Sequence, residues 1–318
     1  MNTTNAARLT HLLFIALTLF TSCGKNNSEM ASSSTTPPPA TRIVSFAPSI
    51  TEILYELGLG DKVCGVTQFC KYPPDAAKKE KIGGQIDHNY EAVVRLNPDM
   101  AVILKEQSDM IDFFDRYSIR YVVVGSDSVD EILESIQSVA SACYVADRGR
   151  AVVENLRKQM GPIKVVNNSG KIINTVKTVI IDDAVDNCKP KVLLCVSRDG
   201  TGTGAIGKCF VAGAVSFYDQ LIEAAGGVNV MNAVKQAYPS ITAEAVVRLA
   251  PDVIIELSMS YTDNQRQQQK NCDDWKSLKN VPAVKNDRIY CLSGGYLTIP
   301  GPRIGLILED FKNALRQR

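Results

Sequence analysis

One nine-residue phrase occurs twice in this chain with a single difference. Residues 91–99 read EAVVRLNPD, and residues 244–252 read EAVVRLAPD. Each copy is followed by a short apolar stretch, residues 100–104 after the first and 253–255 after the second. The repeats of a solenoid follow one another at short intervals, whereas this phrase returns once, far along the chain. The spacing therefore predicts two similar lobes.

Each copy carries the signals of a short helix, a turn and a strand. Asn89 and Thr242 are good N-cap residues, because their side-chain oxygens can accept a hydrogen bond from a free amide of the first turn. The proline ends the helix, and the Val- and Ile-rich run that follows is typical of a buried parallel strand. Repeated core spacing can account for the valines, leucine, proline and aspartate. It explains poorly why Glu91 and Glu244 both occupy an exposed first turn.

The N-terminus has the pattern of an export signal. Arg8 precedes an apolar run, residues 12–20, which is too short to span a bilayer and fits the core of a signal peptide. The residues FTSC, which end at Cys23, resemble a lipobox, where a bacterial lipoprotein is cleaved and lipidated on cysteine. We predict a signal peptide at 1–22, then a lipidated cysteine and a flexible Ser/Pro tether at 23–41. An ordinary secretory signal with an incidental Cys23 is the alternative.

Composition argues against several kinds of site. The 35 Lys and Arg residues nearly balance the 34 Asp and Glu residues, so the chain offers no broad basic field for nucleic acid. His88 is the only histidine beyond the predicted signal peptide, which argues against a zinc or manganese site built on several histidines. The nine cysteines form no CxxC pair. We expect disulfides in an oxidising compartment, with Cys64 and Cys70 closest in sequence, but assign no pairing.

Strand and helix patterns alternate in two blocks. We expect strands at 42–46, 63–66, 100–104, 121–124, 192–196, 253–257 and 288–292, and helices at 129–139, 148–166, 216–225 and from 304 onward. Another helix begins near Pro48, with Ser49 and Glu52 spaced as a capping box, and ends at Gly58 or Gly60. Two blocks of this kind predict two open α/β sheets, with a ligand between them at the carboxyl ends of the strands.

The chain from about Arg42 to the C-terminus resembles the substrate-binding proteins of ABC importers for vitamin B12 and iron complexes. The resemblance is carried, in order, by IVSFAPSITE at 43–52, LGLG at 57–60, YP at 72–73, GG at 83–84, AGGVN at 225–229 and GPRI at 301–304, together with the paired phrases. It implies two Rossmann-like lobes joined by a single long helix, the helical-backbone or class III architecture. The implied boundaries are an N-terminal α/β lobe at 42–146, a connecting helix at 147–168 and a C-terminal α/β lobe at 169–318. The stretch 167–190 and the Gly-rich segment 200–213 depart from the family pattern.

The same resemblance implies a receptor and not an enzyme. We expect a monomeric lipoprotein, anchored to a membrane and facing the periplasm or the cell exterior, that delivers a metal–organic complex to an ABC permease. The complex would bring its own cobalt or iron, and no other cofactor is expected. A corrinoid such as vitamin B12 is favoured, and a ferric siderophore or haem comes next. The alternative is an exported enzyme that uses the same fold around a metal cofactor.

The resemblance also places a set of site residues. The implied ligand contacts are Phe69, Tyr72, Gln85, His88, Leu104, Tyr238, Tyr296 and Arg303. Aromatic side chains suit a large, flat ligand. Arg303 could pair with a carboxylate or phosphate on the ligand or serve as a structural residue at a helix start, and His88 could reach the metal or be solvated. Glu91 and Glu244 would meet arginines on the permease, and such exposed ion pairs orient docking more than they add affinity.

Residues 202–209, GTGAIGKC, nearly spell a Walker A loop. That loop needs a Ser or Thr hydroxyl after the lysine to hold magnesium, and here the position is Cys209. We therefore expect no nucleotide site. The glycines would instead let the backbone approach the ligand or a neighbouring strand.

Overall fold

The part of the chain that the structure describes contains two separate β-sheets. The computed structural model describes residues 38–161, 189–258 and 265–316. The predicted signal peptide, Cys23, all but the end of the tether, and most of the stretch 167–190 lie outside the described residues. The first sheet contains β1 (Ile43–Ser45), β2 (Val63–Val66), β3 (Glu80–Lys81), β4 (Met100–Leu104) and β5 (Arg120–Val124). Its order is β3-β2-β1-β4-β5, and all of its pairings are parallel.

The second sheet combines parallel and antiparallel pairing. It contains β6 (Lys191–Arg198), β7 (Cys209–Val211), β8 (Val228–Asn229), β9 (Ser240–Ile241), β10 (Val253–Ser258) and β11 (Ile289–Ser293). Its order is β11-β10-β6-β7-β9, and β8 pairs with β6. The strands β7 and β9 run antiparallel to their neighbours, whereas the other pairings are parallel. The sequence did not predict β7, which lies within the Gly-rich segment.

Helices cover both sheets. The first sheet is accompanied by α1 (Pro48–Glu56), α2 (Tyr90–Arg95), α3 (Ile111–Arg116) and α4 (Val129–Ala142), and the second by α6 (Phe217–Ala224), α7 (Ala243–Leu249), α8 (Gln265–Asp274), α9 (Pro282–Lys285) and α10 (Ile304–Arg316). We call the first group the N-terminal lobe and the second the C-terminal lobe. The strands β1 and β10 are almost fully buried, as the near-continuous apolar runs of parallel strands predict. The predicted α/β class with two lobes is confirmed.

The repeated phrase forms the same local structure in each lobe. The Asn89 side chain accepts a hydrogen bond from the Ala92 amide at 2.9 Å, and the Thr242 hydroxyl accepts one from the Ala245 amide at 3.4 Å. Both residues therefore cap their helices as predicted. The helices α2 and α7 lead into β4 and β10, which lie in different sheets. The two copies thus occupy equivalent positions in two lobes.

The aspartate that ends each copy has a structural role. Asp99 accepts hydrogen bonds from the amides of Thr41 and Arg42, just before β1. Asp252 accepts one from the amide of Lys191, the first residue of β6. In each lobe the carboxylate therefore fixes the start of the strand that neighbours its own. This explains the repeated aspartate without invoking a ligand.

The helix between the lobes is shorter than predicted. The helix α5 spans Ala146–Met160 and packs against α4 and α10. It ends because Gly161 adopts a φ of 71°, which an α-helix cannot continue through. The rest of the predicted helix, 162–168, lies outside the described residues.

One local prediction in the N-terminal lobe was wrong. Ala47 is the N-cap of α1 and makes no side-chain cap, because Pro48 suits the first turn and shifts the helix start ahead of Ser49. The proposed capping-box residue Glu52 is buried and has a partner in the other lobe, described below.

Cys64 and Cys70 are not bonded to each other. Cys70 instead accepts a hydrogen bond from the Thr51 hydroxyl, and the disulfide among the described residues joins Cys272 of α8 to Cys291 of β11.

The near-Walker segment forms the connection between β6 and β7. The amides of Gly202 and Gly204 both donate to the carboxylate of Asp274 at 2.6 Å. In a nucleotide site, backbone amides of such a loop hold phosphate. Here the Gly202 and Gly204 amides already bind the chain's own carboxylate, that of Asp274. Asp274 also accepts a hydrogen bond from Arg198 at 2.8 Å, and Arg198 donates to Glu256 at 3.1 Å. These three buried side chains form an ion cluster at the end of the second sheet.

Candidate ligand cleft and docking surfaces

One buried side-chain amide connects the loops at the carboxyl ends of the strands in the N-terminal lobe. Gln107 lies just after β4 and is 7% exposed. Its Nε2 atom donates to the carbonyl oxygen of Phe46, which follows β1, and to that of Gln85, which lies in the turn before α2, both at 3.2 Å. A buried amide that satisfies two loop carbonyls holds the loops in one arrangement. This edge is where α/β sheets bind ligands.

Aromatic side chains project from this edge and from the facing loop of the C-terminal lobe. Phe69 and Tyr72, in the loop after β2, are each 47% exposed. Tyr238 lies just before β9 and is 46% exposed. Burial raises the pKa of Tyr238 to about 12, and the nearby carboxylate of Asp127 adds to the effect. Because Asp127 follows β5, Tyr238 lies near enough to the N-terminal lobe for this carboxylate to act on it.

Arg303 joins the two lobes at the start of α10. Its guanidinium pairs with the carboxylate of Glu52 in α1, with Nε 2.8 Å from Oε2. The guanidinium carbon also lies 3.9 Å from the ring centre of Tyr72 and 5.6 Å from that of Tyr296. Burial raises the pKa of Glu52, although Arg303 opposes that rise. Arg303, for which the sequence left open a ligand contact or a structural role, is thus engaged by the chain's own carboxylate and two rings.

A second cation on this edge is paired as well. Lys105 follows β4, and its Nζ lies 2.7 Å from Asp127 and 3.0 Å from Glu131. Burial alone would lower the pKa of Lys105, but the two carboxylates outweigh it and raise the pKa. Just beyond, the amide of Val129 donates to Gln220 of α6 at 2.7 Å, which makes a second link between the lobes. Taken together, Lys105, Asp127 and Glu131 carry a net negative charge.

His88 is packed into the edge of the sheet. Its ring meets that of Phe46 edge-on at 5.1 Å, and its Nε2 lies 3.5 Å from Nε2 of Gln107. The Nδ1 atom is buried and makes no hydrogen bond to the described residues. Burial lowers the pKa of His88, so the ring is neutral at neutral pH. His88 is therefore partly buried, with its ring against Phe46.

The remaining predicted contacts differ in exposure. Gln85 is exposed, and Leu104 is partly buried at the end of β4. Tyr296 is partly buried, and its hydroxyl donates to Asp310 at 2.6 Å. The prediction omitted Ile86, which is 95% exposed at the tip of the turn between Gln85 and His88. The sequence signal that could have identified Ile86 is an apolar residue between polar ones in a turn, because turn tips favour polar residues and glycine.

Glu91 and Glu244 lie on the surface in equivalent positions. Both are exposed, and neither makes a hydrogen bond or ion pair with another described residue. Each borders a shallow concavity, of about 340 Å³ beside Glu91 and about 450 Å³ beside Glu244. Val94 and Val247, three residues further along each helix, are also exposed, at 39% and 41%. The twin helices therefore present an unpaired carboxylate and an apolar side chain on each lobe.

Within the described residues, no cluster of three or more His, Cys, Asp and Glu side chains is arranged to hold a metal ion. No helix in the same part of the chain is both long enough and apolar enough to cross a bilayer.

The chain is similar to known binding proteins along most of its length. Residues 43–294 match the family model described as periplasmic binding protein. YvrC of Bacillus subtilis, named an uncharacterised ABC transporter substrate-binding lipoprotein, is 28% identical over 280 residues, which cover 86% of this chain and 79% of YvrC. The vitamin B12-binding protein of Vibrio cholerae is 23% identical over 270 residues, which cover 84% of this chain and 86% of that protein.

Solved structures show the same fold. The periplasmic vitamin B12-binding protein BtuF of Vibrio cholerae has a TM-score of 0.64 and 21% identity, with 88% of this chain and 98% of BtuF covered. The periplasmic haem-binding protein RhuT of Roseiflexus sp. RS-1 has a TM-score of 0.64 and 24% identity, with 87% of this chain and 100% of RhuT covered. The resemblance in the sequence is confirmed, and the alternative of an exported enzyme is excluded. The protein is a binding protein, and the chain belongs to the periplasmic binding protein family.

Proposed function

We propose that this protein captures a metal–organic complex between its lobes and delivers it to an ABC permease. The observation that supports this most is the pair of exposed aromatic surfaces at the cleft, Phe69 and Tyr72 on one lobe and Tyr238 on the other. Each ring can bury roughly 150–250 Å² against a flat ligand. Relatives named as vitamin B12-binding proteins and as an ABC transporter substrate-binding lipoprotein support the same assignment.

The charge pattern favours a corrinoid over haem or a ferric siderophore. An anionic cargo is held best by Arg or Lys side chains that are free to pair with its carboxylates. Here Arg303 is paired with Glu52, and Lys105 is paired with Asp127 and Glu131. A corrinoid ring carries neutral amides at its edge, so it requires no unpaired cation from the protein. We therefore place corrinoids first, with haem and ferric siderophores as the alternatives.

A titration of the mature protein tests the cargo. We expect cyanocobalamin to bind with a Kd in the micromolar range or tighter by isothermal calorimetry, and haemin and a ferric hydroxamate to bind more weakly. The double variant Tyr72→Ala, Tyr238→Ala should bind at least about tenfold more weakly, because two ring contacts are lost. Tyr144→Ala, at a tyrosine of similar exposure after α4, is the matched control. Tighter binding of haemin would contradict the corrinoid assignment, and no binding of any of the three would contradict the cargo class.

Delivery is proposed to depend on Glu91 and Glu244. Both carboxylates are exposed and free of partners among the described residues, as a contact for cationic side chains of a permease requires. Replacing both with Ala should reduce transport in proteoliposomes while cargo affinity stays near that of the unchanged protein. Loss of cargo affinity in the double variant would show that these carboxylates belong to the cleft instead.

Anchoring is proposed to use a lipid on Cys23. The FTSC sequence and the lipoprotein name of YvrC support this. Cys23→Ser should move the protein from the detergent phase to the aqueous phase in Triton X-114 partitioning. An unchanged distribution would favour the ordinary secretory signal.

A further inference from the structure

Two cysteines of the C-terminal lobe lie against each other in its interior. Cys195 of β6 and Cys209 of β7 are both fully buried, and in this structure both are free thiols. They belong to the apolar cluster that surrounds Trp275. The proposed function uses neither of them. A buried thiol is usually inert toward solutes, so the chemistry open to this pair is a bond between the two sulfurs.

The strand pairing places both side chains on one face of the second sheet. In the antiparallel pair of β6 and β7, Cys195 lies opposite Val211, and Arg198 lies opposite Cys209. Opposed residues of antiparallel strands project from the same face, and so do residues two apart on one strand, such as Cys209 and Val211. The two cysteines are therefore diagonal neighbours on adjacent strands.

The two thiols are in direct contact. A hydrogen bond between them raises the pKa of Cys195 and lowers that of Cys209. Each sulfur also lies near a backbone carbonyl oxygen, that of Ser197 at 3.3 Å from Cys195 and that of Gly207 at 3.7 Å from Cys209. A thiol is a weak donor, so these carbonyl contacts are little obstacle to a bond between the sulfurs. Such a bond needs no change of strand partners.

The other cysteine pair of this lobe lies on the same face. Cys195 is in register with Glu256 of β10, and Glu256 is in register with Cys291 of β11. Neighbouring residues in register on parallel strands project from one face. Cys291 is already bonded to Cys272 of α8. A bond between Cys195 and Cys209 would therefore place one disulfide on each side of Glu256, the carboxylate at the centre of the ion cluster.

We propose that Cys195 and Cys209 form a second disulfide in the exported protein, with a disulfide-bearing thiol oxidant of that compartment as the co-reactant. The thiolate of one cysteine attacks the oxidant's disulfide, forms a mixed disulfide and releases one thiol of the oxidant. The thiolate of the other cysteine attacks the mixed disulfide, forms the new bond and releases the second thiol. Two electrons and two protons pass from the cysteines to the oxidant. Because both sulfurs are buried in the folded chain, the exchange takes place while β7 joins β6 during folding.

The bond would hold the end of the Gly-rich connection, residues 199–208. Gly200, Gly202 and Gly204 adopt φ values of 68°, 74° and 81° there, and glycine loses more conformational freedom on folding than any other residue. Asp274 binds the amides of Gly202 and Gly204 in the middle of the connection. Cys209 directly follows the connection, so a disulfide at this residue closes the loop and reduces the freedom of the unfolded chain.

A tryptic map of the unchanged protein tests the bond. The mature protein would be isolated from a bacterial periplasm, denatured in N-ethylmaleimide and digested without a reductant. Trypsin releases Cys195 in peptide 192–198 and Cys209 in peptide 209–235, and we expect these peptides to appear joined. Peptides 271–276 and 289–303, which contain Cys272 and Cys291, are the positive control.

The negative control is Cys143, in peptide 121–148, which should carry the maleimide because its sulfur contacts Met100 and not a cysteine. Maleimide on both Cys195 and Cys209, or a link from either of them to another partner, would overturn the proposal.

Hydrogen exchange tests what the bond does. In a Cys272→Ser, Cys291→Ser background, the amides of residues 199–208 should exchange about tenfold faster in protein made in a reducing cytoplasm than in exported protein. Adding Cys195→Ala and Cys209→Ala should abolish this difference between the two sources. Peptides of β1 should exchange equally in all samples. Equal exchange of residues 199–208 from both sources would overturn the claim that the bond holds the connection.

Discussion

The segments around α2 and α7 share one backbone but lie in different surroundings. At the one position where the phrases differ, Asn97 and Ala250 both adopt a φ of 45°. Both segments begin with a side-chain cap and end with an aspartate that binds the start of a neighbouring strand. The comparison separates two kinds of repeated residue. The valine, proline and aspartate positions maintain the local fold, whereas Glu91 and Glu244 make no hydrogen bond or ion pair with the residues that the structure describes.

The lobes differ more strongly in how their cores are held. In the described part of the N-terminal lobe, the strands are parallel, and the buried side chains of β1, β2 and β4 are apolar except for Ser45. The C-terminal lobe buries the ion cluster of Arg198, Glu256 and Asp274 and contains the disulfide between Cys272 and Cys291. These polar and covalent contacts attach α8 and the Gly-rich connection to a sheet with antiparallel strands. One lobe is thus stabilised mainly by apolar packing, and the other also by specific cross-links.

The ion cluster provides the largest test of this difference. Asp274→Ala leaves Arg198 without one of its two carboxylates and leaves two glycine amides without an acceptor. Removing one partner of a buried ion pair costs about 3–5 kcal/mol, so we expect a large fall in the free energy of unfolding, measured with urea. The neighbouring Asp273→Ala removes an exposed pair with Lys276 and an exposed hydrogen bond from Gln269, and it should change little. Similar effects of the two substitutions would contradict the importance of the cluster.

The disulfide provides the next test. Cys272 and Cys291 are 19 residues apart, and a cross-link that closes a loop of this length contributes about 2–4 kcal/mol. Replacing both with Ser should speed amide hydrogen exchange in peptides of α8 and β11 while peptides of β1 and β4 keep their protection. Mass spectrometry of the exchanged peptides would show this. An equal loss of protection in both lobes would mean that the cross-link stabilises the whole body.

Asp99 and Asp252 occupy the same position in the two copies of the repeated phrase, so variants at these residues compare the two lobes. Asp99 accepts hydrogen bonds from two amides and the Thr41 hydroxyl, whereas Asp252 accepts one from the Lys191 amide. We therefore expect Asp99→Asn to lower the free energy of unfolding by about 1–3 kcal/mol and Asp252→Asn by about 1 kcal/mol or less. Thermal or urea unfolding of the two variants would measure this, and a larger effect at Asp252 would reverse the expected ranking.

The Asp99 effect should also depend on pH. Burial would raise the pKa of Asp99, but the hydrogen bonds from Thr41 and Arg42 outweigh it and hold the pKa below 3.8. A carboxylate with a lowered pKa stabilises the fold above its unfolded pKa and loses that contribution as the pH falls through its folded pKa. The difference between the unchanged protein and Asp99→Asn should therefore shrink between about pH 5 and pH 2. A difference that is constant over this range would contradict the hydrogen-bonded carboxylate.

The smallest effect should come from exchanging the residue that distinguishes the two copies. A left-handed backbone costs an ordinary L-residue roughly 1–2 kcal/mol and costs asparagine less. Ala250→Asn should therefore raise the melting temperature slightly, and Asn97→Ala should lower it, each by about 0.5–1 kcal/mol in stability. Opposite signs at the two positions are the informative result. Changes of the same sign would show that side-chain contacts, and not backbone conformation, decide the residue at this turn.

Local patterns predicted most elements of the fold. The strands β1, β2, β4, β5, β6, β10 and β11, the helices α4, α6 and α10, and both repeated units follow from apolar runs, caps and prolines that act over a few residues. Gly58, with a φ of 70°, ends α1 as predicted. These features depend on neighbours in sequence, which is why one sequence was enough to find them.

Contacts between distant residues could not be predicted. The partner of Arg303 is Glu52, 251 positions away, and the spacing of Ser49 and Glu52 suggested a local cap instead. Asp274 joins the Gly-rich connection only once α8 is in place. The packing of the Tyr90, Phe113 and Tyr117 rings likewise depends on tertiary structure. The sequence predicted which loops carry the candidate site, but the pairing of Arg303 and Lys105 with carboxylates emerged only from the fold.

The link from Arg303 to Glu52 and Tyr72 has a consequence for movement of the lobes. Together with the hydrogen bond from the Val129 amide to Gln220, it holds the two lobes to each other through the chain's own groups. A change in the distance between Glu91 and Glu244 would therefore require these contacts to break or a lobe to deform.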